Sequence, residues 1–471
     1  MRATQLITGA AALLLACSAA RAEDLVWVQE AKFLAGDGHA GDLLGHAVDM
    51  DGDRVVISVP YNGDYGQWSG CVYVFKLENE LWIEEAKLIG SDTWFHDKFG
   101  MSVAIEGDTI VVGATGVDDH GYRAGAVYVF QHDGESWLQE ATLLPTDVAA
   151  EDYLGQAVAI SGDWIVAGAA GDDDNGDSAG AAYVFHHDGQ CWEEHAKLLT
   201  SDGAALDHFG LSLAMGVDIV AISAVGDDDH GADSGSVYIY RYDGASWVVD
   251  AKITNSDGSR MDWFGWALDL CGDAIIVGVD LDDDYGQSSG SAYVFRHDGA
   301  AWIEEAKLIP SDSAYKDHFG HAVSIDNQLA VVGAYMDDDS GDESGSAYVF
   351  EYVGGTWMET AKLLPDDGDI EDWFGYSVSL RSNRAVVTTP CDDDNGGNSG
   401  SAYVFRARPP CVGDINDDWE RGQPDLGILL ASYELPQDDP LYDPRADLDG
   451  DGDVDAEDLS ALLAVYDVPC D

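Results

Sequence analysis

Apolar positions along this chain come in short bursts separated by polar turns, and no stretch before residue 409 keeps a helical period. In "WIEEAKLI" (82–89) charged and apolar residues alternate, as on a strand with one wet face. "FGMSVAIEG" (99–107) and "TIVVGAT" (109–115) are nearly continuous apolar runs joined by a tight turn at Gly107-Asp108, so both faces of those strands should be covered. "GAVYVF" (125–130) follows an acidic loop, and "HDG" then leads into the next tryptophan strand. The same four-burst pattern returns every 55 residues, marked by Trp27, Trp82, Trp137, Trp192, Trp247, Trp302 and Trp357. Four short strands per unit and seven units predict an all-β, seven-bladed β-propeller. A β-helix fits less well, because its coils are shorter. The chain begins with a lone tryptophan strand, "WVQEAKFL" (27–34), and its last unit ends at "GSAYVF" (400–405) without one. The N-terminal strand is therefore expected to complete the last blade and remove two unpaired edges.

The units resemble the FG-GAP repeats of integrin-type propellers. "FG" stands at 99, 209, 264, 319 and 374, with Leu in place of Phe at 44 and 154, and "GA" closes the next strand at 113, 168 and 333. One departure bears on metal chemistry. In the integrin-type repeat the calcium loop joins those two strands, whereas here the connection is a turn of two or three residues ("EGD", "SGD", "CGD"). That metal site does not carry over.

Three acidic columns run through all seven copies without exception. They are Asp37, Asp92, Asp147, Asp202, Asp257, Asp312 and Asp367; Asp42, Asp97, Asp152, Asp207, Asp262, Asp317 and Asp372; and Asp64, Asp119, Asp174, Asp229, Asp284, Asp339 and Asp394. Antiparallel pairing of the "FG" and "GA" strands brings all three to one rim of each blade. Convergent carboxylates near glycines suit calcium, which takes six to eight oxygens. The competing reading is that each Asp accepts backbone N–H bonds in a tight turn. Around "FG" the copies differ, with Trp263 and Trp266, His318 and His321, and Trp373 and Tyr376 in units five to seven. These should lie near the axial entrance, where aromatic faces suit sugar rings or a peptide; packing around the channel is the alternative.

Charge narrows the partners. Acidic residues number 89 against 22 basic, a formal net charge of −67. Nucleic-acid binding depends on clustered Lys and Arg, so nucleic acid and anionic membrane surfaces are excluded. The N-terminus reads as an export signal over residues 1–22, with "LITGAAALLLA" as the apolar core and "ARA" before the cut. A lipoprotein anchored at Cys17 is the alternative, and no later run is long enough to span a bilayer. Six cysteines remain, and of these Cys411 and Cys470 bracket the C-terminal segment. No nucleophile elbow, zinc-type histidine cluster or phosphate loop is present.

After the propeller (23–408), residues 409–471 change character. "ADLDGDGDVDAEDLSALLAVY" places Asp447, Asp449, Asp451, Asp453 and Asp458 at positions 1, 3, 5, 7 and 12 of an EF-type loop that runs into an apolar helix. A first loop offers Asp414, Asn416, Asp418 and Asp425, with Trp419 where glycine is expected. Two such loops, each followed by a helix, resemble a dockerin. That resemblance implies calcium-driven folding and a cohesin-like partner in extracellular assemblies that degrade polysaccharide. The Ser-Thr pair of cohesin recognition is replaced by Gln423-Pro424 and Ala456-Glu457. The expected function is a secreted, calcium-binding, non-enzymatic binding or adhesion module for a glycan or protein; the alternative is a polysaccharide hydrolase or lyase.

Overall fold

The computed structural model describes residues 25–409, 421–433, 435, 441–448 and 453–466. The expected export signal, Cys17, Cys411, Cys470, Asp414, Asn416, Asp418, Asp449 and Asp451 lie outside them. Seven four-stranded antiparallel sheets follow one another, each meandering from an innermost to an outer strand. Blade 1 comprises Val48–Asp51, Arg54–Val59, Cys71–Glu78 and Leu81–Leu88. Blades 2 to 6 repeat it over 99–143, 158–198, 213–253, 268–308 and 319–363. Blade 7 takes Val378–Arg381, Arg384–Thr389 and Ser401–Arg408, and its outer strand is the N-terminal Val26–Phe33. The ring closes as the lone first strand predicts.

The second and third strands are buried on both faces, so apolar side chains of adjoining blades interdigitate; Val56, Val72 and Val74 of blade 1 share a cluster with Phe99, Ile110 and Tyr128 of blade 2. "FG" locks one blade to the next. Phe99, Phe209, Phe264, Phe319 and Phe374, with Leu44 and Leu154, are fully buried. Each pairs in most blades with the glycine that precedes the third strand of the neighbouring blade, as Gly70 does with Phe99. Gly70 has φ +84°, and a Cβ there would sit 2.1 Å from the Phe99 carbonyl oxygen. Only glycine permits this approach. "FG" opens the innermost strand in blades 2 and 6; elsewhere regular pairing starts four residues later, for instance at Val158.

The C-terminal unit has two ten-residue helices, Gln423–Ser432 and Ala456–Val465, around a small core of Leu429, Ala446, Val454 and Leu462. Among the described residues no helix is long and apolar enough to cross a membrane, an observation that concerns helices alone. Cys71, Cys191, Cys271 and Cys391 are free thiols.

Candidate functional site

The rim of each blade is where the acidic columns meet, and what they meet in six blades is the protein's own ammonium. Lys87, Lys197, Lys252, Lys307, Lys362 and Lys32 stand on the outer strands. Each places its Nζ 2.6–3.1 Å from carboxylates of the first and third columns. Lys252, for example, reaches Asp202 at 3.0 Å and Asp229 at 2.7 Å. In blades 3 to 7 it also meets a buried aspartate that opens the acidic loop: Asp172, Asp227, Asp282, Asp337 or Asp392. A tyrosine on the third strand lies beneath every one of these ammonium groups, 4.9–5.1 Å from Nζ to ring centroid. Burial works against charge on the lysines, but the carboxylates outweigh it and hold them above the ordinary range. The triplet at 227–229 thus divides three tasks. Asp227 pairs with Lys252 and accepts the Tyr238 hydroxyl at 3.1 Å, Asp228 accepts the Asp233 N–H at 2.9 Å, and Asp229 binds the lysine from outside.

The second column is turn chemistry. Asp42, Asp97, Asp152, Asp207, Asp262, Asp317 and Asp372 are buried, and each accepts the backbone N–H three residues before it. Burial first, and then neighbouring carboxylates, pushes Asp152, Asp262, Asp317 and Asp372 up to about 6, and raises Asp97 and Asp207 as well. Asp202, Asp227 and Asp229, and likewise Asp312, Asp337 and Asp339, bring carboxylate oxygens within 4.8 Å of one another and could hold a metal. Each of those groups also holds a lysine. Asp257 and Asp284 surround Lys307, whereas Asp92 and Asp119 of blade 2 have no ion-pair partner among the described residues. The lysine column escaped sequence reading because one lysine in an alternating strand ordinarily points to water, and its carboxylates lie 23 and 50 residues away.

At the axis, the residue after each "FG" lines the channel mouth: His46, Met101, Gln156, Leu211, Trp266, His321 and Tyr376. The residue before "FG" is left-handed in every copy, with Trp263, His318 and Trp373 at φ +59°, +56° and +63°. This costly conformation persists because the blade-to-blade lock over-determines it. The sequence-derived pairs come together. Trp263 stacks on Trp266 at 5.3 Å and Trp373 on Tyr376 at 6.3 Å, while His321 contacts Trp266 and Tyr376 at 5.7 and 4.9 Å. The belt runs on through His46, Tyr61, Trp68 and His96 of blades 1 and 2. Sequence reading missed its anchor. Asp280, buried beneath the belt, lies 3.1 Å from His318 Nδ1 and 3.2 Å from His321 Nδ1. Burial alone would raise Asp280, but those two imidazoles hold it below the usual range. The signal available was a lone acid in a column otherwise filled by Pro60, Thr115, Ala170, Val225, Tyr335 and Pro390.

Val103, Val158, Leu268, Val323 and Val378 line both this mouth and a second pocket of about 300 Å³ that reaches the far ends of the innermost strands. There Asp49, Asp51, Glu106 and Asp269 face the single cation Arg381. In the C-terminal unit, Asp425 and Asp458 are buried. Asp458 accepts the Leu448 and Asp455 N–H groups at 2.6 and 2.7 Å, so it ties the two ends of the expected second loop; Asp447 and Asp453 stand on either side of the undescribed stretch.

The family described as "FG-GAP repeat" matches residues 27–75, 82–130, 137–185, 192–240, 247–295, 302–350 and 357–405. Human integrin alpha-11 is 34% identical over 95 residues, a stretch that covers 18% of this chain and 8% of that protein. Seven matched repeats, seven blades and a buried "FG" at the blade-to-blade contacts lead to one assignment: this chain belongs to the FG-GAP repeat family.

Proposed function

We propose that this protein is an exported, non-enzymatic binding module whose ligand is held at the aromatic axial mouth and whose C-terminal unit docks it to a surface or a larger extracellular complex. The observation that carries the reading is the belt from Trp263 to His96, in which rings of five adjoining blades crowd one end of the channel. Flat aromatic faces beside a buried carboxylate suit the apolar face of a sugar ring, with polar groups at its edge. Membership of a family with an integrin relative supports an extracellular setting and a protein ligand equally well.

Calcium enters at the C-terminal loops. Asp447, Asp453, Asp458 and Asp425, with Asp414, Asn416, Asp418, Asp449 and Asp451, supply only oxygen ligands, which fits a hard cation. Calcium bound there would offset carboxylate repulsion and stabilise the two helices. A cohesin-like partner for this unit is part of the same reading.

Glycan and peptide arrays probed with the full chain, with and without calcium, test the proposal. Binding should be retained in chelator if the ligand lies at the mouth, and it should be lost in Trp266→Ala and Tyr376→Ala. Release of reducing sugar from any polymer, abolished by one carboxylate substitution, would replace this reading with the polysaccharide-degrading one.

A further inference from the structure

Blade 2 breaks the rim pattern in a coordinated way. Where six blades carry the lysine, it has Thr142, paired across the strands with Tyr128 as Lys252 is with Tyr238. Where five blades carry the buried aspartate, it has Val117. The tyrosine and the two outer carboxylates, Asp92 and Asp119, remain. Thr142 is too short to reach them, and its Oγ1 accepts the Gln139 Nε2–H at 3.0 Å. Arg123 lies over the Tyr122 ring, 5.0 Å from its centroid, and forms no ion pair with either acid.

Two further observations bear on this rim. Thr93 is 7% exposed and its Oγ1 has no hydrogen-bond partner, a feature that Ser313 shares at the equivalent position of blade 6. A Cβ built on Gly90 would meet that oxygen at 2.5 Å and Tyr128 Cε1 at 3.0 Å, so the hydroxyl and the ring edge both pack closely against Gly90 and lie near each other. The loops around it also carry exposed aromatics: Trp94 (71%), Phe95 (51%) and Tyr122 (56%). At the position of Trp94 the other copies have His39, Ala149, Ala204, Ser259, Ala314 and Asp369; at that of Tyr122 they have Gln67, Asp177, Ala232, Gln287, Asp342 and Gly397.

The geometry points to a docking site for a lysine side chain of a partner protein, seated over Tyr128 between Asp92 and Asp119 as the other six blades seat their own. The six internal examples show that this tyrosine and carboxylate arrangement holds a primary ammonium by charge and by the ring face together. Trp94, Phe95 and Tyr122 would cover apolar residues flanking the partner's lysine, as aromatic anchors do at interfaces. The partner must be basic: a net charge of −67 disfavours a second copy of this chain and steers cationic surfaces inward. Calcium is the poorer occupant, since Val117 removes the carboxylate that the oxygen-richer rims possess.

The test uses the full chain with ¹³C-methyl threonine, so that Thr93 and Thr142 report on the site. Nα-acetyl-lysine N-methylamide, titrated at constant ionic strength, should shift both signals saturably. Its Nε-acetylated analogue should bind about tenfold more weakly or worse. Thr142→Lys should abolish the Thr93 response by filling the site from within, and Asp119→Asn should weaken it. Equal shifts with the acetylated probe, no saturable shift, or an undiminished Thr93 response in Thr142→Lys would each overturn the assignment. So would calcium saturating the same signals at lower concentration than the probe, which would make this a metal site. If Thr142→Lys does not fold, Asp119→Asn decides: unchanged affinity refutes the site.

Discussion

The blade rim and the axial mouth are cut from the same seven repeats, but the copies agree at one and diverge at the other. At the rim, lysine, tyrosine and two aspartates recur in six blades with nearly the same distances, and the departures at blade 2 occur together. At the mouth, the seven residues after "FG" include histidine, methionine, glutamine, leucine, tryptophan and tyrosine. Uniformity marks groups that hold each blade's loops together, a need common to all copies. Divergence marks positions where the backbone is held by other residues and the side chain is free to meet something that lacks sevenfold symmetry.

Breaking the rim should have the largest effect. In Lys252→Met, Asp227 is left buried beside Asp202 and Asp229 without its ammonium, and stability should fall by about 2 kcal/mol, less than for a fully buried pair because the lysine is partly exposed. The double variant Lys252→Thr/Asp227→Val, which imitates blade 2, should recover most of that loss in denaturant melts. If the double variant is as unstable as the sum of its parts, the lysine and the buried acid are not a unit. Substitution at the mouth sharpens the contrast. Trp266→Ala should cost about 1 kcal/mol or less, because the ring is only partly buried, while array binding falls at least tenfold.

The smallest effect is a shift with pH, and its sign separates the acidic columns. Asp152, Asp262, Asp317 and Asp372 titrate near 6 in the folded chain against an ordinary 3.8, so the native state binds their protons more tightly than the unfolded chain. Their contribution is full below about pH 4 and is lost as pH rises through 6. Asp202, Asp257 and Asp367 are held low by tyrosine and lysine against the pull of burial, and their contribution disappears only as pH falls below the ordinary range. The melting temperature should therefore rise by a few degrees from pH 7 to pH 5, and decline in stronger acid. High salt, which screens the general repulsion of a −67 chain, should leave part of the rise in place. A rise that vanishes completely in salt would assign it to net charge alone.

Much of this molecule is legible in the letters. The 55-residue period, the alternation in "WIEEAKLI" and the lone first strand lead to seven blades and to their closure. The second acidic column behaves as turn chemistry predicts. What escaped was everything that depends on strands already being paired. Tyr238 and Lys252 face each other only through the register of the third and outer strands, and Asp202 joins them from 50 residues away. Asp280 meets His318 and His321 across a blade boundary, a proximity that no local pattern encodes.

Closure of blade 7 by the chain's first strand has a consequence in time. During synthesis Val26–Phe33 emerges first, yet its partner Ser401–Arg408 emerges last of all the blade strands. Lys32 must then wait for Asp367, Asp392 and Asp394, more than 300 residues downstream. Until then the growing chain carries an unpaired strand at its head and an open blade at its advancing end, both templates for a wrong partner. Mutual repulsion at a net charge of −67 opposes contact between unfinished copies in that interval, before each has joined its first strand to its last blade.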